Sequence, residues 1–328
     1  MNPLASLILL TYNQESYIEE AMNAALNQTY ENLEIIISDD NSLDGTFNII
    51  KRIYDKYNGR HNLIIRKNEE NLGLPAHVSK VMEVTKGEII ISADGDDISY
   101  PHRVKTIVNQ WISNNKESGC IFSLYNKIDS NGIVADNNTK LNPLKFYLKN
   151  RNIDITKAIF ISMLGCTMSW TSDIFKIFGK LDANMIHQDI NIPLRSYMTG
   201  SITIIQEELV IYRIVDNSLS RISFANSEER FKKMSKYWGA KIVNYEQYDT
   251  DKIIALRKNL ISNCDIEWLD IFANKERNKS IIFYKFYSGN FYQRLKILLN
   301  PNNKIYLKMR LKFLILLICP KIYKYKLK

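Results

Sequence analysis

The sequence predicts an α/β chain: a mostly parallel central sheet with helices on both faces, followed by a small all-helical C-terminal region. Three observations carry this. Over the first 130 residues, short apolar runs alternate with longer amphipathic ones, the pattern of strands buried on both faces and covered by helices. Near Lys127 that alternation stops, and Ser130-Asn131-Gly132 marks a turn. After Ser223 the chain is rich in Tyr, Phe, Ile and Lys and lacks strand and turn punctuation. The expected organisation is therefore one domain over 1–222 and a helical region with a basic tail over 223–328.

Strands are expected at Ala5 to Leu10, Leu33 to Ser38, Leu63 to Arg66, Glu88 to Ala93 and Cys120 to Leu124. Helices are expected near Ser16 to Asn27, Thr46 to Tyr57, Ala76 to Thr85 and Pro101 to Asn114. Asp44-Gly45-Thr46 supplies a turn and cap before one helix, and Pro101 suits the first turn of another. Weaker strands are expected at Thr167 to Thr171, Ile202 to Ile205 and Leu209 to Arg213, with a short helix from about Asp189 to Gly200.

The composition, with 45% hydrophobic residues in 328, is that of a folded globular chain. Its formal charge of +9 is unevenly spread. Thirteen Lys and Arg and no Asp or Glu lie between Arg277 and Lys328, so the remainder carries more acid than base. An acidic body without a recognisable nucleic-acid-binding pattern argues against a nucleic-acid partner. Cys120, Cys166, Cys264 and Cys319 fit neither a metal-ligand spacing nor a dense disulfide framework, which points to a reducing compartment. No basic region followed by an apolar run opens the chain, so a cytoplasmic protein is expected. The apolar stretch from Phe313 to Cys319 is far shorter than the roughly 20 residues of a membrane-spanning helix. With the eight Lys and Arg between Lys304 and Lys328, it suits either an amphipathic segment on the inner face of an anionic membrane or a basic helix packed on the domain.

In open α/β sheets ligands gather at the carboxyl ends of the strands. Three polar clusters fall there: Thr11-Tyr12-Asn13 after the first strand, Asp39 to Gly45 after the second, and Asp94-Gly95-Asp96-Asp97 after the fourth. A carboxylate in such a place can accept hydrogen bonds from a base or ribose. Two carboxylates one residue apart can share a hard divalent cation that also binds a diphosphate. Thr11 to Asn13 also suit a helix-entry loop, and Asp39 to Gly45 a solvated turn with a cap. Asp94 to Asp97 resist a bland reading, because three adjacent carboxylates repel unless a cation or donor is present. His61, His77, His102 and His187 lack paired metal-ligand spacing.

These motifs, in order and spacing, resemble family 2 glycosyltransferases with the nucleotide-sugar-binding GT-A fold. The matching segments are Ser6 to Asn13, Gln28-Thr29-Tyr30, Ile37 to Thr46, Asn71-Leu72-Gly73 and Gly87 to Asp97. His187-Gln188-Asp189, Tyr212-Arg213 and Asn217 to Ser220 are weaker matches. The resemblance implies that Tyr12 lies against the base, with Thr11 and Asn13 beside it, and that Asp40 and Asp39 bind the base or ribose. It further implies that Asp94 contacts the ribose or metal shell, that Asp96 ligates Mn²⁺ or Mg²⁺, and that Asp189 is the base of an inverting transfer. Gln188 departs from the family, many of whose members carry a second acid there, and Asp189 also suits an N-cap for a helix starting at Ile190. The implied donor is a nucleoside-diphosphate sugar, with UDP-sugars foremost. The implied acceptor is a saccharide or lipid-linked saccharide hydroxyl in bacterial surface polysaccharide or lipopolysaccharide assembly. The competing expectation is a noncatalytic nucleotide-sugar-binding or assembly protein.

Overall fold

The computed structural model describes residues 2–133, 164–215, 227–261, 263–300 and 313–314. The chain divides into two compact units: Met1–Ala183 with His187–Val215 and Thr250–Ile261, and Asn184–Ile186 with Asp216–Asp249 and Ser262–Lys328.

The first unit is α/β. Its strands are β1 (Ala5–Thr11), β2 (Leu33–Asp39), β3 (Asn62–Lys67), β4 (Ile89–Asp94), β5 (Ile98–Ser99), β6 (Gly119–Ile128), β7 (Met168–Thr171) and β8 (Ser201–Arg213). The helices are α1 (Ile18–Leu26), α2 (Thr46–Lys56), α3 (Leu74–Met82), α4 (Arg103–Ser113), α5 (Asp173–Phe178) and α6 (Gln188–Thr199). Sheet order is β3-β2-β1-β4-β7-β6-β8-β5. Every residue of β1 and β2 is buried, as befits strands covered on both faces.

The chain runs outward from β1 to β2 and β3, then returns to place β4 on the other flank of β1. That reversal opens a crevice beyond the carboxyl ends of β1 and β4, the usual binding place in such sheets. The register fixes what lies at its mouth: Thr11 pairs with Asp39 and Leu10 with Asp94. At the opposite end the buried Glu34 carboxylate accepts from the Ser6 hydroxyl and, at 2.6 Å, from Lys86 N–H. Gly87 N–H donates to Ser6 Oγ at 2.8 Å, so the starts of β1, β2 and β4 are locked together.

Three features differ from the sequence expectation. The two expected strands at Ile202 and Leu209 are one, β8, because its pairing with β6 jumps from Ile205 to Glu208 and absorbs the polar break as a bulge. The sheet is parallel through β3-β2-β1-β4 and between β6 and β8, but β7 runs antiparallel to both β4 and β6. Pro101 precedes α4 by two residues instead of opening it.

The second unit is helical, formed by the Ser227–Arg257 helix (α7) up to Asp249, with α8 (Asn263–Ser288) and α9 (Phe291–Leu299). Phe283, Phe286, Tyr287, Leu298 and Phe313 form its core, and Arg294 lies 3.6 Å over the Phe231 ring. Asn290 and Gln293 form a reciprocal capping box on α9. Among the described residues no helix is long and apolar enough to cross a membrane. Apart from Phe313 and Leu314, the basic tail from Lys304 to Lys328 lies outside the described residues.

Within the first unit, Arg195 of α6 is fully buried. Its Nε donates to Asp251 Oδ2 at 2.7 Å and its Nη1 to Gly179 O at 2.8 Å. Removing one partner from a buried ion pair strands the other charge. Asp251→Asn should cost about 3 kcal/mol, read as a lower midpoint with an unchanged slope in urea denaturation. A midpoint equal to the parent's would show that the pair does not hold α6 in place.

Candidate functional site

The loop after β1 is laced to the loop after β2 by hydrogen bonds that cross it. Asn13 adopts a left-handed backbone (φ 52°), which Asn tolerates better than most residues. Its N–H donates to Ser42 Oγ at 2.8 Å, while its own Oδ1 accepts from Leu43 N–H at 2.8 Å. Gln14 N–H donates to Thr46 Oγ1 at 2.8 Å, and Asp44 accepts at 3.0 Å from the Thr46 N–H at the start of α2. Tyr12 stays 43% exposed at the crevice rim, whereas Thr11 is buried beneath it.

Asp39 and Asp40 are both buried. Asp39 accepts from Ser42 N–H and Oγ, with Lys67 Nζ 3.9 Å away. Burial raises its carboxyl above the usual range despite those donors. Asp40 Oδ1 accepts from Asn68 Nδ2 (2.7 Å) and Leu72 N–H (2.9 Å), and Oδ2 from Gly73 N–H (2.9 Å). The two acids thus fold the Asn71-Leu72-Gly73 segment and the β2 loop around the crevice. Arg66 extends the same network through Ser38 and Asn68.

Beyond β4, Gly95 crosses directly over the end of β1: a Cβ there would stand 2.7 Å from Thr11 Oγ1. Asp94, Asp96 and Asp97 follow one another around this crossing. Burial, then the Asp96 charge, pushes the Asp94 carboxyl up to about 7; Arg103 opposes the rise and Asp189 adds to it. Asp96 is also raised, by burial, against the pull of Arg213 and a hydrogen bond from Gln14. Asp97 is raised well above the usual range by burial and its two acidic neighbours. One of its oxygens accepts from Arg213 N–H at 2.8 Å; the other, Oδ2, is buried without an N–H or O–H donor.

Two arginines hold this cluster. Arg103, fully buried at the start of α4, donates to Ser92 O (2.7 Å), Cys166 O (2.6 Å) and Ser99 Oγ (2.8 Å). Burial pulls its own pKa down to about 10, against Cys166, Asp94 and Asp97. Arg213, at the end of β8, donates through Nε to Asp96 O at 3.1 Å and through Nη2 to Glu20 at 2.5 Å. Its guanidinium sits 5.0 Å over the Tyr17 ring.

Asp189 is the second residue of α6, whose N-cap position is His187; a cap for a helix starting at Ile190 is therefore not its place. The Gly165 turn lies against it, since a Cβ on Gly165 would stand 4.0 Å from Asp189 Cβ. The structure thus brings Thr11, Asp94, Asp96 and Asp189 to the crevice between β1 and β4, and sets Tyr12, Asn13, Asp39 and Asp40 along its β1–β2 side. Asn217 to Ser220 lie outside the described residues. Sequence reasoning passed over Gln14 and Arg103, and gave Asp97, within its acidic cluster, no role of its own. Arg103 falls on the same buried α4 stripe as Ile107 and Trp111, and a charge on an apolar stripe signals a buried partner.

The donor set fits a hard divalent cation: beyond burial, the Asp96 charge raises the Asp94 carboxyl, a repulsion that a dication relieves. Among the described residues, the donor atoms of Asp94, Asp97 and Cys166 also lie within 4.8 Å of one another.

Residues 6–171 match the family model described as glycosyl transferase family 2. An uncharacterized glycosyltransferase of Methanocaldococcus jannaschii is 33% identical over 227 residues, which are 67% of this chain and 74% of the relative. Among solved structures, Staphylococcus aureus TarS 1–349 in complex with UDP-GlcNAc aligns with a TM-score of 0.53 at 15% identity, covering 95% of this chain and 86% of TarS 1–349. A mannosyltransferase from Pyrobaculum calidifontis in complex with GDP-Man and Mn²⁺ aligns with the same score and identity, over 91% and 88% of the two chains. These two likenesses share the GT-A fold.

A carboxyl raised in the folded state stabilises it fully below the unfolded pKa, and that stability is lost as pH rises through the folded value. For Asp94 the window runs from about 4 to about 7. In chelator, the stability difference between Asp94→Asn and the parent should therefore shift in favour of the variant from pH 5 to pH 8, measured by urea denaturation. A constant difference would show that Asp94 is not held under charge repulsion.

Proposed function

Because this chain belongs to glycosyl transferase family 2, we propose that its crevice binds a nucleoside-diphosphate sugar, foremost a UDP-sugar, and transfers the sugar with inversion. The acceptor in this reading is a hydroxyl of a saccharide or lipid-linked saccharide in bacterial surface polysaccharide or lipopolysaccharide assembly. The observation that carries the reading is electrostatic: the Asp189 charge reaches Asp94 at the head of the Asp94-Gly95-Asp96 turn. A candidate base and a candidate metal-holding turn therefore share one crevice.

The residues divide the work. The Tyr12 ring, exposed on the rim, flanks the base. Asp39, Asp40, Thr11 and Asn13 shape the wall against base and ribose. Asp94 meets the ribose or the metal shell, and Asp96 offers the oxygen that holds Mn²⁺ or Mg²⁺. When bound, the divalent ion neutralises the negative charge of the departing diphosphate. Asp189 takes the acceptor hydroxyl proton as that oxygen attacks the anomeric carbon on the face opposite the diphosphate, which inverts the centre. The nucleotide sugars in the two solved neighbours, UDP-GlcNAc and GDP-Man, support a donor of this class.

A screen of nucleotide-sugar donors, scored by nucleotide release with and without Mn²⁺, tests the reading. Asp96→Asn should abolish the Mn²⁺-dependent part. Asp189→Asn should keep donor affinity and lose roughly two to four orders of magnitude in acceptor-dependent transfer, the range of a lost general base. Near-parental transfer by a folded Asp189→Asn protein would remove Asp189 from the chemistry.

The basic C-terminus, with eight Lys and Arg from Lys304 to Lys328, gives the enzyme a peripheral contact with the anionic inner face of the cytoplasmic membrane, each cation adding on the order of 1 kcal/mol near the surface. The full-length chain should float with anionic vesicles at low salt and sediment without them at high salt. Failure to float at low salt would rule the contact out.

A further inference from the structure

The acidic turn has a second face, toward Cys166, of which the transfer reaction uses only Asp94. Asp96 is drawn toward Gln14 and Arg213, while Asp97 accepts from Arg213 N–H through one oxygen and also meets the Cys166 thiol. Cys166 is buried in the single helical turn before β7, among Tyr125 and Val210. One Asp94 oxygen, one Asp97 oxygen and Cys166 Sγ lie within 4.8 Å of one another. Asp97 is only 5% exposed; no N–H or O–H donor reaches its Oδ2, and the weakly donating Cys166 thiol is the side chain that hydrogen-bonds its carboxyl. A buried carboxylate oxygen left in that state is costly unless a proton or a cation serves it.

We infer that Asp94, Asp97 and Cys166 form a binding site for a thiophilic divalent ion, Zn²⁺ or Cd²⁺, distinct from the hard-cation position at Asp96 and inhibitory because it occupies Asp94. Two carboxylates and a thiolate carry three negative charges; the ion and the adjoining Arg103 carry three positive ones, so the buried group is neutral when loaded. On binding, the S–H proton of Cys166 and the protons that Asp94 and Asp97 hold in their raised state leave to solvent, and sulfur and carboxylate lone pairs enter the metal bonds. The mixed sulfur and oxygen set selects against Mg²⁺ and Mn²⁺, which favour all-oxygen shells, and for ions that accept thiolate. Zinc bonds of about 2.0 Å to oxygen and 2.3 Å to sulfur would draw the widest donors together by about 1 Å. Asp94, the only one of the three that is not fully buried, provides the way in, and solvent supplies a fourth ligand.

The site rests on these three side chains and not on the donor or acceptor, so its test is separable from the transfer reaction. The full-length protein is stripped with chelator, desalted and given one equivalent of Zn²⁺. X-ray absorption should then find one sulfur at about 2.3 Å among oxygens at about 2.0 Å. Cys166→Ser should lose the sulfur and bind Zn²⁺ more than tenfold more weakly against a chromophoric chelator. Asp97→Asn, which keeps the thiol, should weaken zinc at least tenfold as well and guards against a folding defect in the first variant. Asp96→Asn should retain the sulfur shell even where Mn²⁺-dependent nucleotide release is gone. An all-oxygen or nitrogen shell in the parent, or a sulfur that persists in Cys166→Ser, would overturn the site.

Discussion

Three carboxylates within four residues, at the buried end of a strand, are the constraint around which the first unit is arranged. Beyond burial, the Asp96 charge raises the Asp94 carboxyl, and both raise that of Asp97, and nothing in an apolar sheet offsets that. The offset comes from two arginines, Arg103 close by in sequence and Arg213, 116 residues beyond Asp97. Arg103 reaches back from α4 to Ser92 O, and across to Cys166 O; Arg213 arrives at the end of β8 to meet Asp97 and the Asp96 carbonyl. The Arg103 guanidinium spends its donors on two carbonyls and a hydroxyl, and that of Arg213 on the Asp96 carbonyl and Glu20, so the acidic turn is fixed in place while its carboxylate oxygens stay open to a cation. A turn held rigid and left electron-rich is prepared for a cation without having to reorganise when one arrives.

The same economy governs the β2 end. Asp40 engages two backbone N–H groups and an amide, and Asp39 closes its own loop through Ser42. These acids organise the wall that a ligand meets, and their remaining lone pairs are what it can address. The rim residue Tyr12 is by contrast held only by its backbone neighbours, through the left-handed Asn13 and its bonds to Ser42 and Leu43.

Much of this was legible in the sequence. The apolar runs of β1, β2 and β4 end where the polar clusters begin, and the family-like spacing set those clusters side by side; the register from Thr11 to Asp39 and Leu10 to Asp94 gives that alignment its geometry. The direction of β7 was not legible, because the apolar and polar alternation of Met168 to Thr171 reads the same whichever way a strand enters a sheet. The continuity of β8 was hidden by Gln206, Glu207 and Glu208, which look like a turn and form a bulge. Arg103 was missed for a plainer reason: its meaning depends on Cys166 O, 63 residues on, and no local pattern announces a contact of that range.

That range bears on how the protein comes into being on the ribosome. The hydrogen bond from Arg213 N–H to Asp97 spans 116 residues, and a parallel sheet built from distant segments closes slowly. During synthesis the strands β1 to β4 can pair while Asp97 still lacks its partner, so a nascent chain carries the acidic turn unbalanced until residue 213 has cleared the exit tunnel. A fragment ending before β8 would own most of the sheet and nearly all the polar clusters, yet its acidic turn would keep only one of its two arginine anchors, Arg103. A chain cut short there would lack the β8 end that donates to Asp97 and to the Asp96 carbonyl.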